Sequence, residues 1–471
     1  MKLNPTTSPI TLAIAESGGK YELSPHLIYL DDKLRDLAAR RIDRLIVNMP
    51  PRHGKSTLVG EYFVPWYLGN FPDHKVMYAS YEANYAAEWG LKARDVMERV
   101  GHLFNHNGKP MRVNPLSRAS AYWKILNAKG GMQTSGVKGS MTGKGADLLI
   151  IDDPVKNEIE ASSKLIRNRT INWYRSTAFA RLEPNAVVII IQTRWHHADL
   201  SGIMIRDMNE PNLDGNLGDQ WEIVKMPGIC DSENDLLGRA IGEALWHERY
   251  SAQTLRKKRG VQGSYWFSAM YQQTPHDEEN EIFKRNWWQY YTEPPVGKII
   301  IQSWDTAMKE GQENDFSVCT TWLLTPTGYY LLDLVRARLI FPSLIKQIKI
   351  EAAKWNPVEI VIEDKVSGTS AVDMLRAETR LPIHPFKVVG DKVLRASLIS
   401  PLCEAGKVFL PEGKPWIADY VNEMAEFPHG EHDDQVDSTS QGLQRLRTSY
   451  SAAPRKNRRE SRKRTSITDG F

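Results

Sequence analysis

The chain has 471 residues, 41% hydrophobic and 25% charged, a balance that excludes a disordered or fibrous protein and is long enough for two sizeable cores. Its formal charge of +4 is carried by the last stretch, where Arg455, Lys456, Arg458, Arg459, Arg462, Lys463 and Arg464 face only Glu460 and Asp469, so any surface for a polyanion on the body must be a local patch. Cys230, Cys319 and Cys403 lie too far apart for a zinc motif or a disulfide framework, and no apolar run reaches the roughly 18–20 residues of a membrane span, so a cytosolic protein with no membrane contact is expected.

From Tyr21 to about Leu200, apolar runs end in turn residues and are followed by helical patterns: DRLIVNMPPRHGKS, HKVMYASYEANYAAEWG, DLLIIDDP and AVVIIIQTRWH. This rhythm predicts a mostly parallel sheet wrapped by helices. Residues 207–220 are dense in Gly, Asn, Asp and Pro and predict a loop, with helical and irregular material after it as far as QGSYWFSAMYQQTP. A domain boundary is expected near Gln273 to Asn280. A second series then opens with KIIIQSWDTAM, turns at Thr327 and Gly328, and alternates helix and strand through EIVIEDK to a last helix. Three strands followed by α/β alternation predict a ribonuclease H-like mixed α/β domain. The basic tail has almost no apolar residues, which predicts disorder.

Residues 45–59, LIVNMPPRHGKSTLV, read as a buried strand, a tight turn and a helix opening at Lys55 and Ser56. Phosphate chemistry needs this arrangement: backbone amides of Arg52, His53, Gly54 and Thr57 and the helix N-terminus cradle phosphate, the Lys55 ammonium reaches the terminal phosphates, and the Ser56 hydroxyl ligates magnesium. The loop departs from the usual spacing, because the first glycine of the pattern falls on Met49 and Pro50 and Pro51 stiffen the turn. The bland reading is a surface turn with a chance GKS. A second element argues against it: DLLIIDDP delivers Asp152 and Asp153 to a strand end, where one carboxylate can hold Mg²⁺ and the other can polarise an attacking water. Gln192, Thr193 and Arg194 end the next strand and either sense the terminal phosphate or cap that strand.

In the second half, Asp305, then Glu363 with Asp364, then Asp433, Asp434 and Asp437 lie where strands and a helix can converge. Gathered together they can bind two divalent ions, Mg²⁺ or Mn²⁺, for in-line phosphodiester hydrolysis; taken singly they read as helix N-terminal acids. Alternation along EIVIED puts Glu363 and Asp364 on opposite faces, so only Glu363 is expected to ligate. On the last helix Asp434 is the first choice and Asp437 the second. The aromatics of YWFSAMYQQ and FKRNWWQYY are expected at the domain joint. Lys392 and Arg395 either contact phosphates or form a solvated basic face, and His196 and His197 lack partners at metal spacing.

In order, MPPRHGKS, LLIIDDP, QTRWH, YWFSAMYQQTP, SWDTA, VIEDK and HDDQVD are similar to the terminase large subunits of tailed bacteriophages, over roughly residues 20 to 445. The resemblance implies an α/β chain with a P-loop ATPase of the additional-strand class over 1–275 (207–275 as lid and joint), a ribonuclease H-like nuclease over 276–450, and a basic tail over 451–471. It implies ATP and Mg²⁺ at Lys55, Ser56 and Asp152, Asp153 as catalytic acid where many relatives have glutamate, Arg52 as the γ-phosphate arginine, and an adenine site at Tyr21 to His26. It implies nuclease metal ligands at Asp305, Glu363 and Asp434. It also implies a host-cytoplasmic motor that packages and cuts double-stranded viral DNA, docked as a homo-oligomeric ring on the portal protein of the procapsid and served by a small terminase subunit. Arg167, Arg169, Arg175 and Arg181 are candidates for reaching a neighbouring subunit's nucleotide. Two other readings use the same residues: a cellular helicase-nuclease, and a non-catalytic P-loop scaffold docking to a portal protein.

Overall fold

The computed structural model describes residues 4–450 apart from 138, 140–144, 212–214, 216, 276–281, 298, 307–315, 365 and 431. The basic tail therefore lies outside the described residues. The chain divides into two compact units, Met1–Asn280 and Glu281–Phe471.

The first unit is built on an eight-stranded sheet. Across it run Glu222–Lys225, Arg44–Asn48, Leu182–Gln192, Ala146–Asp152, Lys75–Ser80 and Gly131–Gly136, all parallel, and then Tyr122–Ile125 and Val113–Ala119, antiparallel. The central strands carry unbroken apolar runs because both faces are covered. Leu45, Val47, Leu148, Ile150, Ile189 and Ile191 feed one core, and their chain neighbours Ile46, Leu149, Ile151, Val188 and Ile190 feed the other. Each fully buried aliphatic contributes about 1.5–3 kcal/mol, so the sheet is the rigid part on which loops can be aimed.

Three features depart from the sequence reading. The strand Glu222–Lys225 lies in a stretch read as helical and irregular; its four residues, EIVK, are too few and too polar at the ends to announce a strand, yet it pairs with Arg44–Asn48. The loop expected at 207–220 begins later, because the helix Leu200–Asn209 takes its first three residues. The aromatic stretches assigned to the joint are core of their own units. Phe267 and Tyr271 stack at 5.2 Å and bury against Ala244 and Leu255 in the first, while Phe283 and Trp288 enter the core of the second.

The second unit has a seven-stranded sheet in the order Gln289–Tyr291, Val408–Pro411, Tyr329–Ala337, Ser317–Leu324, Ile299–Asp305, Glu359–Glu363 and Ile383–Phe386. Ile299–Asp305, Ser317–Leu324 and Tyr329–Ala337 form an antiparallel meander, and Glu359–Glu363 joins the first of them in parallel. This is the ribonuclease H-like order. Ile360 and Ile362 pack on the helices Phe341–Trp355 and Val366–Glu378, whereas Ile301, Val318 and Leu334 pack on the other face against Asp434–Ser449. That last helix lies close to the sheet because Gly442 carries no side chain: a Cβ there would come within 2.9 Å of Trp322 and 3.1 Å of Ser303. Among the described residues no helix is long and apolar enough to cross a membrane, and all three cysteines are buried free thiols.

Candidate active sites

In the first unit, the strands Arg44–Asn48, Leu182–Gln192 and Ala146–Asp152 end in step, with Asn48 opposite Gln192 and Ile191 opposite Asp152. One additional strand thus stands between the phosphate-loop strand and the acidic strand. The loop after Asn48 holds two left-handed residues, Arg52 at φ 65° and Gly54 at φ 88°. Gly54 fits where Leu27 and Trp246 leave little room for a side chain. Ser24, His26 and His53 pin the loop from behind. The Ser24 hydroxyl donates to His26 Nδ1 at 2.7 Å, and His26 Nε2–H donates to the His53 carbonyl at 2.9 Å. His53 Nδ1–H donates to the Pro51 carbonyl at 3.0 Å, and its ring stacks on Tyr250 at 5.1 Å. Burial pushes both imidazoles down to about 4, so they are neutral hydrogen-bonding struts. Within the stretch YELSPH, expected at the adenine site, Ser24 and His26 are buried as loop supports and Glu22 and Leu23 are exposed.

The helix following the loop begins at Lys55 and includes a π-helical turn, Thr57–Phe63. Lys55 is buried, with its Nζ donating to Thr193 Oγ1 at 3.0 Å and standing 3.1 Å from Asp153 Oδ2. Ser56 Oγ donates to Asp152 Oδ1 at 3.0 Å, and Tyr78 donates to Asp152 Oδ2 at 2.5 Å. Asp153 sits at φ 41° and accepts from the Thr193 amide at 2.7 Å. Burial first, and the charge of Asp153 second, push the Asp152 carboxyl up to about 7. A buried carboxylate raised in this way, with one oxygen shared with a serine hydroxyl, is a donor set that suits a small hard cation. Arg52 is exposed and has no hydrogen bond or ion pair among the described residues.

The structure separates the roles of the three polar residues that end the neighbouring strand. Thr193 reaches Lys55. Arg194 is buried in structural work, with its Nε on Asp199 at 2.8 Å and its amide on Gln273 Oε1 at 3.1 Å. The Gln192 backbone carbonyl accepts from Asn48, 3.4 Å away. Sequence reasoning missed Tyr78 and Gln273. A tyrosine inside an apolar strand reads as core, and a glutamine at the end of a helix reads as a boundary. Of the arginines after the acidic strand, Arg167 is buried and donates to the carbonyls of Ala161 and Ser162, while Arg175 pairs with Asp207 on the surface.

In the second unit, Asp305 ends its strand one residue past the Trp304–Ile362 pair, which brings Glu363 alongside it. Both are buried, at 8% and 3% exposure, whereas Asp364 is exposed and accepts from Thr369. Ser303, two residues before Asp305, bonds to Ser438 of the last helix at 2.7 Å, so Asp305 faces that helix. From the helix, Asp437 shares Arg395 with Glu363: Arg395 bonds Asp437 and stands 3.8 Å from Glu363 Oε1. Lys392 lies 3.1 Å from Asp437 and 2.5 Å from Asp433. Although burial opposes it, these two carboxylates hold the Lys392 ammonium well above the usual lysine range. Burial, then Glu423 and Asp433, push the Asp434 carboxyl up to about 6 against the opposing charges of Lys392 and Arg336, and Glu423 itself receives the Gln435 amide at 2.6 Å. Among the described residues no three His, Cys, Asp or Glu side chains are drawn together closely enough to hold a metal ion. Instead Arg395 supplies the positive charge between Glu363 and Asp437, and the oxygen donors are of the kind that Mg²⁺ takes.

Residues 46–289 match the family described as terminase large subunit, T4likevirus-type, N-terminal, and residues 302–446 match the terminase RNaseH-like domain. No curated protein matches the chain. Among solved structures, the large terminase from a thermophilic bacteriophage, in its second crystal form, superposes with a TM-score of 0.50 at 12% identity, covering 90% of this chain and 99% of that one. The same phage protein in complex with ATP-gamma-S gives a TM-score of 0.47 at 13% identity, covering 90% and 98%. The large terminase nuclease of another thermophilic phage, G20c, with bound magnesium gives 0.29 at 18% identity, covering 35% and 97%. The family matches, joined to the strand order of the two units, establish that the chain belongs to the terminase large subunits of tailed bacteriophages, packaging ATPases that carry a ribonuclease H-like nuclease.

Proposed function

We propose that ATP binds over the loop Arg52–Thr57 with Mg²⁺ at Ser56 and Asp152, and that its hydrolysis drives double-stranded viral DNA into a procapsid. The observation that carries this is the position of Lys55 Nζ between Thr193 and Asp153 at the common end of three parallel strands. Lys55 there neutralises the terminal phosphates, Asp153 orients and polarises the attacking water, and Thr193 registers whether Lys55 is engaged. Arg52 is the loop arginine free to meet the γ-phosphate. The family match over residues 46–289, which takes in the loop and both acids, supports nucleotide at this site.

For the second site we infer metal-dependent cutting of concatemeric DNA with Asp305, Glu363 and Asp437 as ligands, in preference to Asp434, because Asp437 shares a partner with Glu363. These three carboxylates would hold the divalent ions, two Mg²⁺ or Mn²⁺ on this reading, which would supply the charge for activating water and stabilising the leaving oxygen. The chain's own task is to hold the carboxylates together, which Arg395 and Lys392 do by pairing with them. The enzyme works in the host cytoplasm, as a ring on the portal protein with a small terminase subunit choosing the DNA. Packaging with purified protein, procapsids, DNA and ATP tests the whole reading: DNA becomes protected from added nuclease, and Lys55→Ala removes that protection. Protection that persists in Lys55→Ala overturns it.

A further inference from the structure

A row of side chains crosses the nuclease sheet. Glu363 and Asp305 lie side by side, Asp305 pairs with Val318, and Val318 pairs with Arg336 on the next strand. Residues paired directly across a sheet share a face, so Arg336 stands on the face of the two carboxylates. Phe316 and Arg338 lie one residue beyond the last pair of their strands, Ser317 with Ala337, and on that same face two positions on from Val318 and Arg336.

These three side chains form a stack. The Arg336 and Arg338 guanidinium carbons lie 4.2 Å and 4.6 Å from the centre of the Phe316 ring, and the His432 ring meets that ring edge-on at 5.4 Å. Stacking on an aromatic face fixes an arginine without using its N–H donors. Arg336 stands 3.3 Å from Glu423, but its Nε is buried with no acceptor among the described residues. Arg338 is exposed and makes neither hydrogen bond nor ion pair among the described residues. Among the described residues, Lys392 and Arg395 beside the carboxylates are committed to Asp433, Asp437 and Glu363.

We propose that the Arg336–Phe316–Arg338 stack is a phosphate clamp that seats the DNA backbone beside the nuclease carboxylates, a role resting on the nuclease reading above. Arg338 supplies mobile charge at the rim and Arg336 a buried donor behind it. The test is plasmid cutting by the full chain in Mn²⁺, measured against DNA concentration at several salt concentrations. Arg338→Ala is expected to raise the DNA concentration for half-maximal cutting roughly tenfold and to make the salt dependence shallower by about one phosphate contact. Arg338→Glu should be worse and Arg338→Lys intermediate, with the maximal cutting rate and the ATPase rate without DNA unchanged. Arg380→Ala, an exposed arginine before the strand Ile383–Phe386 at the opposite end of the sheet, should leave the salt slope as it was. Curves for Arg338→Ala and Arg338→Glu that superimpose on the wild type, while Asp305→Asn abolishes cutting, overturn the clamp and leave the nuclease standing; cutting that survives Asp305→Asn overturns the nuclease reading itself.

Discussion

The two sites solve one problem, that of crowding acids at the end of a sheet, in different ways. In the first unit the acids are met by neutral donors: Tyr78 and Ser56 hold the two oxygens of Asp152, the Thr193 amide holds Asp153, and a single cation, Lys55, stands by. In the second unit the acids are met by cations, with Arg395 between Glu363 and Asp437 and Lys392 between Asp437 and Asp433. Hydroxyls and amides fix geometry without cancelling charge, so the first site is shaped before its nucleotide comes. Guanidinium and ammonium groups cancel charge, so the crowded acids of the second site are held together by ion pairs.

That contrast can be broken most sharply at the nuclease. Asp305→Asn and Asp437→Asn should each lower Mn²⁺-dependent cutting by on the order of a thousandfold and spare ATP turnover, while Asp434→Asn costs less than about tenfold; equal losses in the two aspartates of the helix would restore Asp434 as a ligand. Lys55→Ala should lower ATP turnover roughly a hundredfold or more and leave cutting intact. A parallel fall in both activities, in protein that still melts cooperatively, would mean that the sites are not separable.

The neutral struts give the first unit a pH dependence. His26 and His53 bind their protons more weakly folded, at about 4, than unfolded, near 6.5. The stability they supply is therefore complete above about pH 6.5 and is lost as pH falls toward about 4, by up to ~3 kcal/mol for each imidazole. Denaturant melts of wild type and His26→Gln across that interval should diverge at high pH and converge at low pH, and parallel curves would deny His26 the effect. The smallest change expected is in Tyr78→Phe. It keeps the ring and removes one donor to Asp152, lowering ATP turnover about tenfold and raising the Mg²⁺ concentration needed for half-maximal rate; an unchanged Mg²⁺ requirement would make the tyrosine a packing residue only.

What the sequence made legible follows from burial. LIVN, LLIID and VVIII are apolar without alternation because both faces of the sheet are covered, and that pattern survives in any order of residues. That Glu363 is buried and Asp364 exposed was readable from strand parity alone. That Asp437, and not Asp434, pairs with the arginine beside Glu363 was not, because two helical residues three apart sit only about 60° from one another around the axis, and the phase is set by Gly442 and Ser438 meeting the sheet. The strand Glu222–Lys225, the donor Tyr78 and the stack on Phe316 depend on pairing across distant segments, which no local window contains.

The backbone amides of Thr193 and Arg194 are adjacent, and one is tied to Asp153 while the other is tied to Gln273. Gln273 lies within the last residues of the first unit before the chain continues toward the second. Gln273 is therefore moored one peptide away from the amide that holds Asp153, the residue proposed to orient the attacking water. On that proposed role, a shift of the Asp153 carboxylate would reach Gln273 through two hydrogen bonds and one peptide group.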